Sequence, residues 1–116
     1  MSARRHSANT ARHTPEAAAV FAALGDTTRL RLVARLSTAG PMSITRLTSD
    51  TAVTRQAVTK HLHVLAGAGL ARSSRLGRES VWQLEPRPID HARQYLDGIA
   101  AQWDEALDRL KKFVEG

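Results

Sequence analysis

The stretch TRQAVTKHLHVLAGAGL, residues 54–70, constrains the fold of this chain more than any other. It opens on a hydroxyl residue suited to capping a helix, and Val58, Leu62 and Leu65 follow at i, i+4 and i+7. At 100° per residue these three side chains fall within about 60° of one another. Gly67-Ala68-Gly69 marks the place where the helix should stop, giving a helix over 54–68. Opposite the apolar stripe lie Gln56, Thr59, Lys60 and His63, together offering amide, hydroxyl, ammonium and imidazole groups and no carboxylate. Such a face bonds readily to phosphates and base edges, where Asp or Glu would be repelled. An ordinary amphipathic surface helix fits the same segment, so the flanking sequence has to decide between the two.

Upstream, MSARRHSANTARHT (residues 1–14) has almost nothing to bury and reads as a disordered basic arm. Pro15 suits a first helical turn, and Ala19, Val20, Ala23 and Leu24 supply apolar contacts before Gly25. Asp26 is a good N-cap for a second helix with Leu30, Val33, Ala34 and Leu36 as its apolar positions, ending near Gly40-Pro41. Arg29, Arg31 and Arg35 project from that helix; for Arg29 and Arg31 solvated or ion-paired side chains are the expectation, with a DNA contact as the lesser alternative. Ser43 can cap a short third helix that turns Ile44 and Leu47 inward, and residues 49–53 then carry turn chemistry up to Thr54. A short helix, a tight turn and a helix with a carboxylate-free face form the layout of a helix-turn-helix, in which the second helix enters the major groove.

Downstream the periodicity switches to extended. Residues 70–84 read as a hairpin turning at Gly77, with Trp82 and Leu84 alternating as in a half-buried strand. Arg72, Arg75 and Arg78 lie along it and near its tip, the arrangement of a wing that grips the phosphate backbone. Glu85-Pro86-Arg87-Pro88 reads as a stiff connector. From Ile89 the apolar positions run through Ala92, Leu96, Ile99, Trp103, Ala106, Leu110 and Phe113 at alternating spacings of 3 and 4, with Leu107 broadening the stripe. That periodicity predicts a long amphipathic helix over 88–115, more than a small domain needs for its own core. Ile89, Leu96, Ile99, Trp103, Leu107, Leu110 and Phe113 are accordingly assigned to a homodimer interface. The fold class is mainly α with a small β-hairpin: a disordered arm at 1–14, then one winged helix-turn-helix domain over 15–116 with a C-terminal dimerisation helix.

Charge is distributed to match. Residues 1–84 hold 12 Lys/Arg against 4 Asp/Glu, whereas residues 85–116 hold 5 against 7. A basic body with a mildly acidic, apolar-striped tail suits a polyanion partner for the first part only. The chain has no cysteine, so disulfides, thiolate metal sites and cysteine nucleophiles are excluded. No apolar run approaches the roughly 20 residues of a membrane span, and the basic start lacks the apolar core of a signal peptide, so a cytoplasmic protein without membrane contact is expected. An enzyme would need a nucleophile with its base, a carboxylate pair or a phosphate loop, and none of these patterns occurs.

The segments LGDTTRLRLVARL (24–36), AVTKHLHVLAGAGL (57–70) and RLGRESVWQL (75–84) resemble the ArsR family of winged helix-turn-helix repressors, and the resemblance extends from residue 15 to about 114. It implies a homodimer built on the terminal helices that binds double-stranded DNA at an imperfect palindrome and represses transcription until a signal releases it. For a DNA-binding chain the candidate contacts are Thr54, Arg55, Gln56, Thr59, Lys60 and His63 on the recognition helix, with Arg72, Arg75 and Arg78 on the wing.

This sequence departs from the family's metal sensors. One sensor type places paired cysteines before the recognition helix, where this chain reads SITRLTSD (43–50). The other uses an Asp and a His two apart on the last helix, followed by a paired His/His or His/Glu. Starting from Asp90, the corresponding positions here are Ala92, Trp103 and Ala106, and His91 has no partner further along. His61 and His63 point about 160° apart on one helix. The metal-independent branch, with no cofactor, is the match. Two other roles suit the same sequence: a protein-interaction module, and a regulator responding to a small molecule in a dimer-interface pocket bordered by Trp82 and Trp103.

Overall fold

In the computed structural model, residues 14–49 and 51–116 are described. The expected arm lies outside them up to residue 13, as does Asp50, while Thr14 is already helical. Helix α1 covers residues 14–24. It is followed by α2 (Thr27–Ala39), β1 (Met42–Ser43), α3 (Ile44–Ser49), α4 (Arg55–Gly67), β2 (Ala71–Leu76), β3 (Glu79–Leu84) and α5 (Pro86–Glu115). The strands form one antiparallel sheet in the order β1-β3-β2. This is a winged helix-turn-helix: four helices and a small sheet around one core, with a long helix at the C-terminal end.

The helix ends follow from local chemistry. Asp26 caps α2 by accepting from the Arg29 N–H at 3.0 Å, and Ser43 accepts from the Arg46 N–H at 3.2 Å to start α3. Gly69 (φ +78°) ends α4 in a left-handed conformation, with the Leu70 N–H bonded to the Leu65 carbonyl and the Gly69 N–H to that of Ala66. This is a Schellman ending, and its hydrophobic partner Leu70 is fully buried. The same residue begins the wing, whose base is closed by the Glu85 N–H donating to the Leu70 carbonyl at 2.8 Å.

The core joins every element: Val20 and Ala23 of α1, Leu32 and Leu36 of α2, Met42, Ile44 and Leu47, Val58, Leu62 and Leu65 of α4, Leu70, Ala71, Trp82, and Ala92 of α5. Four features differ from the sequence reading. The stripe of α2 is phased on Leu32 and Leu36, while Leu30 is 52% exposed and Ala34 lies on the solvent side. In α1 Ala17 is buried and Ala19 exposed. Met42–Ser43 pairs with Val81–Trp82 as a third strand, too short to leave an alternating pattern. Helix α5 begins at Pro86 rather than at 88, because prolines in a first turn remove only N–H groups that have no intrahelical partner there.

Helix α5 leads a double life. Its start packs on the body through Ile89, Ala92 and a Phe21–Tyr95 ring contact with centroids 6.2 Å apart. Everything from residue 100 onward is exposed. At 1.5 Å per residue the helix is about 45 Å long, so its second half projects beyond the domain. Among the described residues no helix is long and apolar enough to cross a membrane.

Candidate nucleic-acid interface

Helix α4 is held from below and from the side. Below, Val58, Leu62 and Leu65 are fully buried. At the side stands a polar cluster that the sequence reading did not foresee. The Arg29 guanidinium donates to the Ala23 carbonyl at the end of α1, to His61 Nδ1 at 3.1 Å on α4 and, at 3.5 Å, to the Ala22 carbonyl. Because a guanidinium can only donate, His61 Nδ1 is the acceptor of this bond. Asp26 Oδ2 lies 3.8 Å from the same ring nitrogen. The Asp26 carboxyl is held below its ordinary value first by the Arg29 N–H it accepts and further by the nearby Arg29 charge, against the opposing effect of burial. His61 is therefore a structural histidine that ties the recognition helix to α1 and α2. Arg35 does similar work on the other side, donating to the Leu47 carbonyl at 2.9 Å.

The start of α4 is open. Thr54 accepts from the Ala57 N–H at 3.1 Å, which leaves the Arg55 and Gln56 N–H groups at the tip, and the first turn contains no acidic residue. The positive end of the helix dipole thus faces outward without a competing carboxylate. Thr54, Arg55, Gln56, Lys60 and His63 are exposed. Thr59 is half-buried and donates to the Arg55 carbonyl at 2.8 Å, so its hydroxyl presents acceptor capacity and a methyl group outward. His63 leans toward the sheet, its ring centroid 5.8 Å from that of Trp82. One exposed face thus carries Arg55, Gln56, Lys60 and His63 together.

The wing separates its arginines. Gly77 (φ +66°) precedes Arg78 in a two-residue turn with glycine first, the type II′ pattern that suits the twist of a hairpin. Arg75 and Arg78 at this tip are exposed and make no ion pair among the described residues. Arg72 stands at the base, its Nε 2.6 Å from Glu85 Oε1, with the Gln83 carboxamide oxygen turned to accept from the same guanidinium. Of the three wing arginines, two remain available to a phosphate and one braces the wing against the start of α5.

The residues assigned to a dimer interface also divide. Ile89 is half-buried against its own core, and Ile99 is half-buried. Leu96 (51%), Trp103 (64%), Leu107 (55%), Leu110 (57%) and Phe113 (84%) are exposed along the projecting part of α5. Trp82 sits in the core at 5% exposure, whereas Trp103 is exposed on α5. Among the described residues no group of three or more His, Cys, Asp or Glu side chains is placed to hold a metal ion.

Comparison with known proteins agrees with this architecture. A family described as a helix-turn-helix domain matches residues 15–74. The HTH-type transcriptional regulator Rv2034 of Mycobacterium tuberculosis is 36% identical, over 80% of this chain and 83% of that protein. An ArsR-like transcriptional regulator from Rhodococcus sp. RHA1 superposes with a TM-score of 0.74 at 35% identity, covering 86% of this chain and 93% of that one. The homodimeric winged helix-turn-helix DNA-binding domain Mb0332 of Mycobacterium bovis shares the fold, with a TM-score of 0.62 at 22% identity over 85% of this chain and 88% of that one.

Proposed function

This chain belongs to the ArsR family of winged helix-turn-helix transcriptional regulators, and from that premise we propose that it is a dimeric repressor of its own or a neighbouring operon. The observation that carries the reading is the outward face of α4: an open helix start, Gln56 and Lys60 exposed beside it, and no carboxylate in its first turn. In this reading residues 15–116 act as one winged helix-turn-helix unit. Gln56 reads an adenine edge and Lys60 the acceptors of guanine, the pairings their geometry favours. Thr54, Arg55, Thr59 and His63 position the helix on the backbone and groove wall. Arg75 and Arg78 grip phosphate beside the groove and add affinity without sequence preference. Arg72 contributes mainly by fixing the wing base.

The exposed stripe of α5 supports the dimer. Trp103, Leu107, Leu110 and Phe113 are each more than half exposed, an apolar row that a second copy of the chain would cover. Two-fold symmetry would set the recognition helices about one DNA turn apart, roughly 34–36 Å, and so call for an imperfect palindrome. The absence of cysteine, and Ala92, Trp103 and Ala106 at the ligand positions of the last helix, support the metal-independent branch of the family.

The test is binding to DNA from upstream of its own gene, followed by fluorescence anisotropy over a range of salt. A regulator making 6–10 phosphate contacts loses about 10³–10⁵ in affinity between 50 and 200 mM salt, and prefers its own sequence over a scrambled duplex. Weak binding that is flat with salt and indifferent to sequence would refute the proposal.

A further inference from the structure

Helix α2 carries Arg29, Arg31 and Arg35 within seven residues, and the structure uses them differently. Arg29 and Arg35 are spent on carbonyls of α1 and α3. Arg31 is exposed and makes no hydrogen bond or ion pair among the described residues. It lines a small concavity of about 170 Å³ between α2 and the turn of the helix-turn-helix. The other walls are Thr28, Leu32 and Arg35 on one side and Thr51, Ala52 and Val53 on the other. Those last residues lead directly into Thr54, the cap of the recognition helix, so Arg31 stands beside the end of α4 that enters the groove.

We propose that this concavity is a seat for one phosphodiester of the DNA strand flanking the start of α4, with Arg31 as its cation. The chemistry is suited to a phosphate. The described lining holds two guanidinium groups, the Thr28 hydroxyl and no carboxylate, while the Thr51 hydroxyl is spent on the Thr48 and Val53 carbonyls. The start of α4, with its free Arg55 and Gln56 N–H groups, adds the positive end of a helix dipole nearby. The Leu32 and Val53 walls are apolar and exclude water from one side of the seat, which strengthens the contact with the charged group. Arg31 thereby becomes a third phosphate-gripping element, separate from the wing and from the outward face of α4. It fixes how far α4 enters the groove rather than which bases it reads. The seat rests on the DNA-binding reading above.

The test compares wild type with Arg31→Gln, Arg31→Lys and Arg93→Gln, the last removing a likewise exposed charge from α5. The probe is the upstream duplex that the wild-type protein binds, titrated at several salt concentrations. Each lost phosphate contact reduces the slope of log K against log salt by about 0.9, so Arg31→Gln should reduce it by about 1.8 for a dimer that loses two. Arg31→Lys should keep the slope, and Arg93→Gln should leave it unchanged. A neutral methylphosphonate scanned along the duplex should reveal one position per half-site that weakens wild type and is silent in Arg31→Gln. An unchanged slope in Arg31→Gln would overturn the seat while leaving the DNA-binding reading intact, as would an equal loss in Arg93→Gln. A wild-type protein that binds no upstream duplex would remove both.

Discussion

Replacing Arg29 by Ala tests whether that guanidinium holds the fold together or touches a ligand. It donates to the Ala23 carbonyl and to His61 Nδ1, and weakly to the Ala22 carbonyl at 3.5 Å. Hydrogen bonds from a charged donor contribute about 1.5–3 kcal/mol each. The site is only partly buried, so the low end applies, and a contact at 3.5 Å adds little. Two effective bonds give about 3 kcal/mol. With a urea m-value of about 1.5 kcal/mol/M, the unfolding midpoint should fall by about 2 M. Wild type and variant must be compared at equal protein concentration, because any dimer stabilises by mass action. Arg29→Lys should recover little, since an ammonium cannot span acceptors on two helices as a planar fork does. Below its melting range, the folded variant should keep the wild-type salt slope for DNA. A midpoint within about 0.3 M of wild type, combined with a reduced salt slope, would refute the reasoning and make Arg29 a DNA contact.

Further outcomes follow from the same geometry. Gly77→Val places a β-branched residue at φ +66°; a cost of about 1–2 kcal/mol at the wing turn is expected, with DNA affinity lowered for all sequences alike, measured by urea unfolding and anisotropy. Trp103→Asp puts a charge in the middle of the exposed α5 stripe and should yield monomers in sedimentation velocity; an unchanged dimer would move the interface elsewhere. The depressed Asp26 carboxyl contributes stability that is fully present above its ordinary value of 3.8 and is lost as pH falls through the lowered value. Thermal melts between pH 5 and pH 2.5 should therefore show a smaller loss for Asp26→Asn, which still offers a cap oxygen but does not titrate, than for wild type.

How legible these features were depends on how far each one is set by neighbours in sequence. The recognition helix was readable because everything that defines it lies within 17 residues: the Thr54 cap, the Val58/Leu62/Leu65 stripe and the Gly69 stop. The wing turn was readable for the same reason, since Gly77 supplies the positive φ that the hairpin requires. Helix α2 was placed correctly and phased wrongly. Leu30, Leu32, Val33, Ala34 and Leu36 are too closely spaced to name one face, and only packing against α4 selects Leu32 and Leu36.

That phase decides the fate of the arginines. About the centre of the true stripe, Arg29 lies roughly 40° away, Arg35 about 80° and Arg31 about 120°. Arg29 and Arg35 are near enough to the buried side to reach carbonyls of neighbouring helices, whereas Arg31 is not. The Arg72–Glu85 pair stayed hidden for a related reason: the two residues are 13 apart and meet only because β3 folds back along β2. Strand β1 went unseen because two residues carry no alternation, and its existence depends on the edge that β3 offers.

The central claim is that α4 reads bases while the wing supplies affinity, and the most direct measurement is the base preference of two variants. Wild type, Gln56→Ala and Arg78→Ala would be titrated against the bound upstream site and each of its single-base variants at fixed salt. Gln56→Ala is predicted to cost about 1–3 kcal/mol on the native site and to flatten the preference at one position of each half-site. Arg78→Ala is predicted to weaken every duplex by the same factor. A Gln56→Ala profile with its base preferences intact, or an Arg78→Ala profile that loses one, would contradict the assignment.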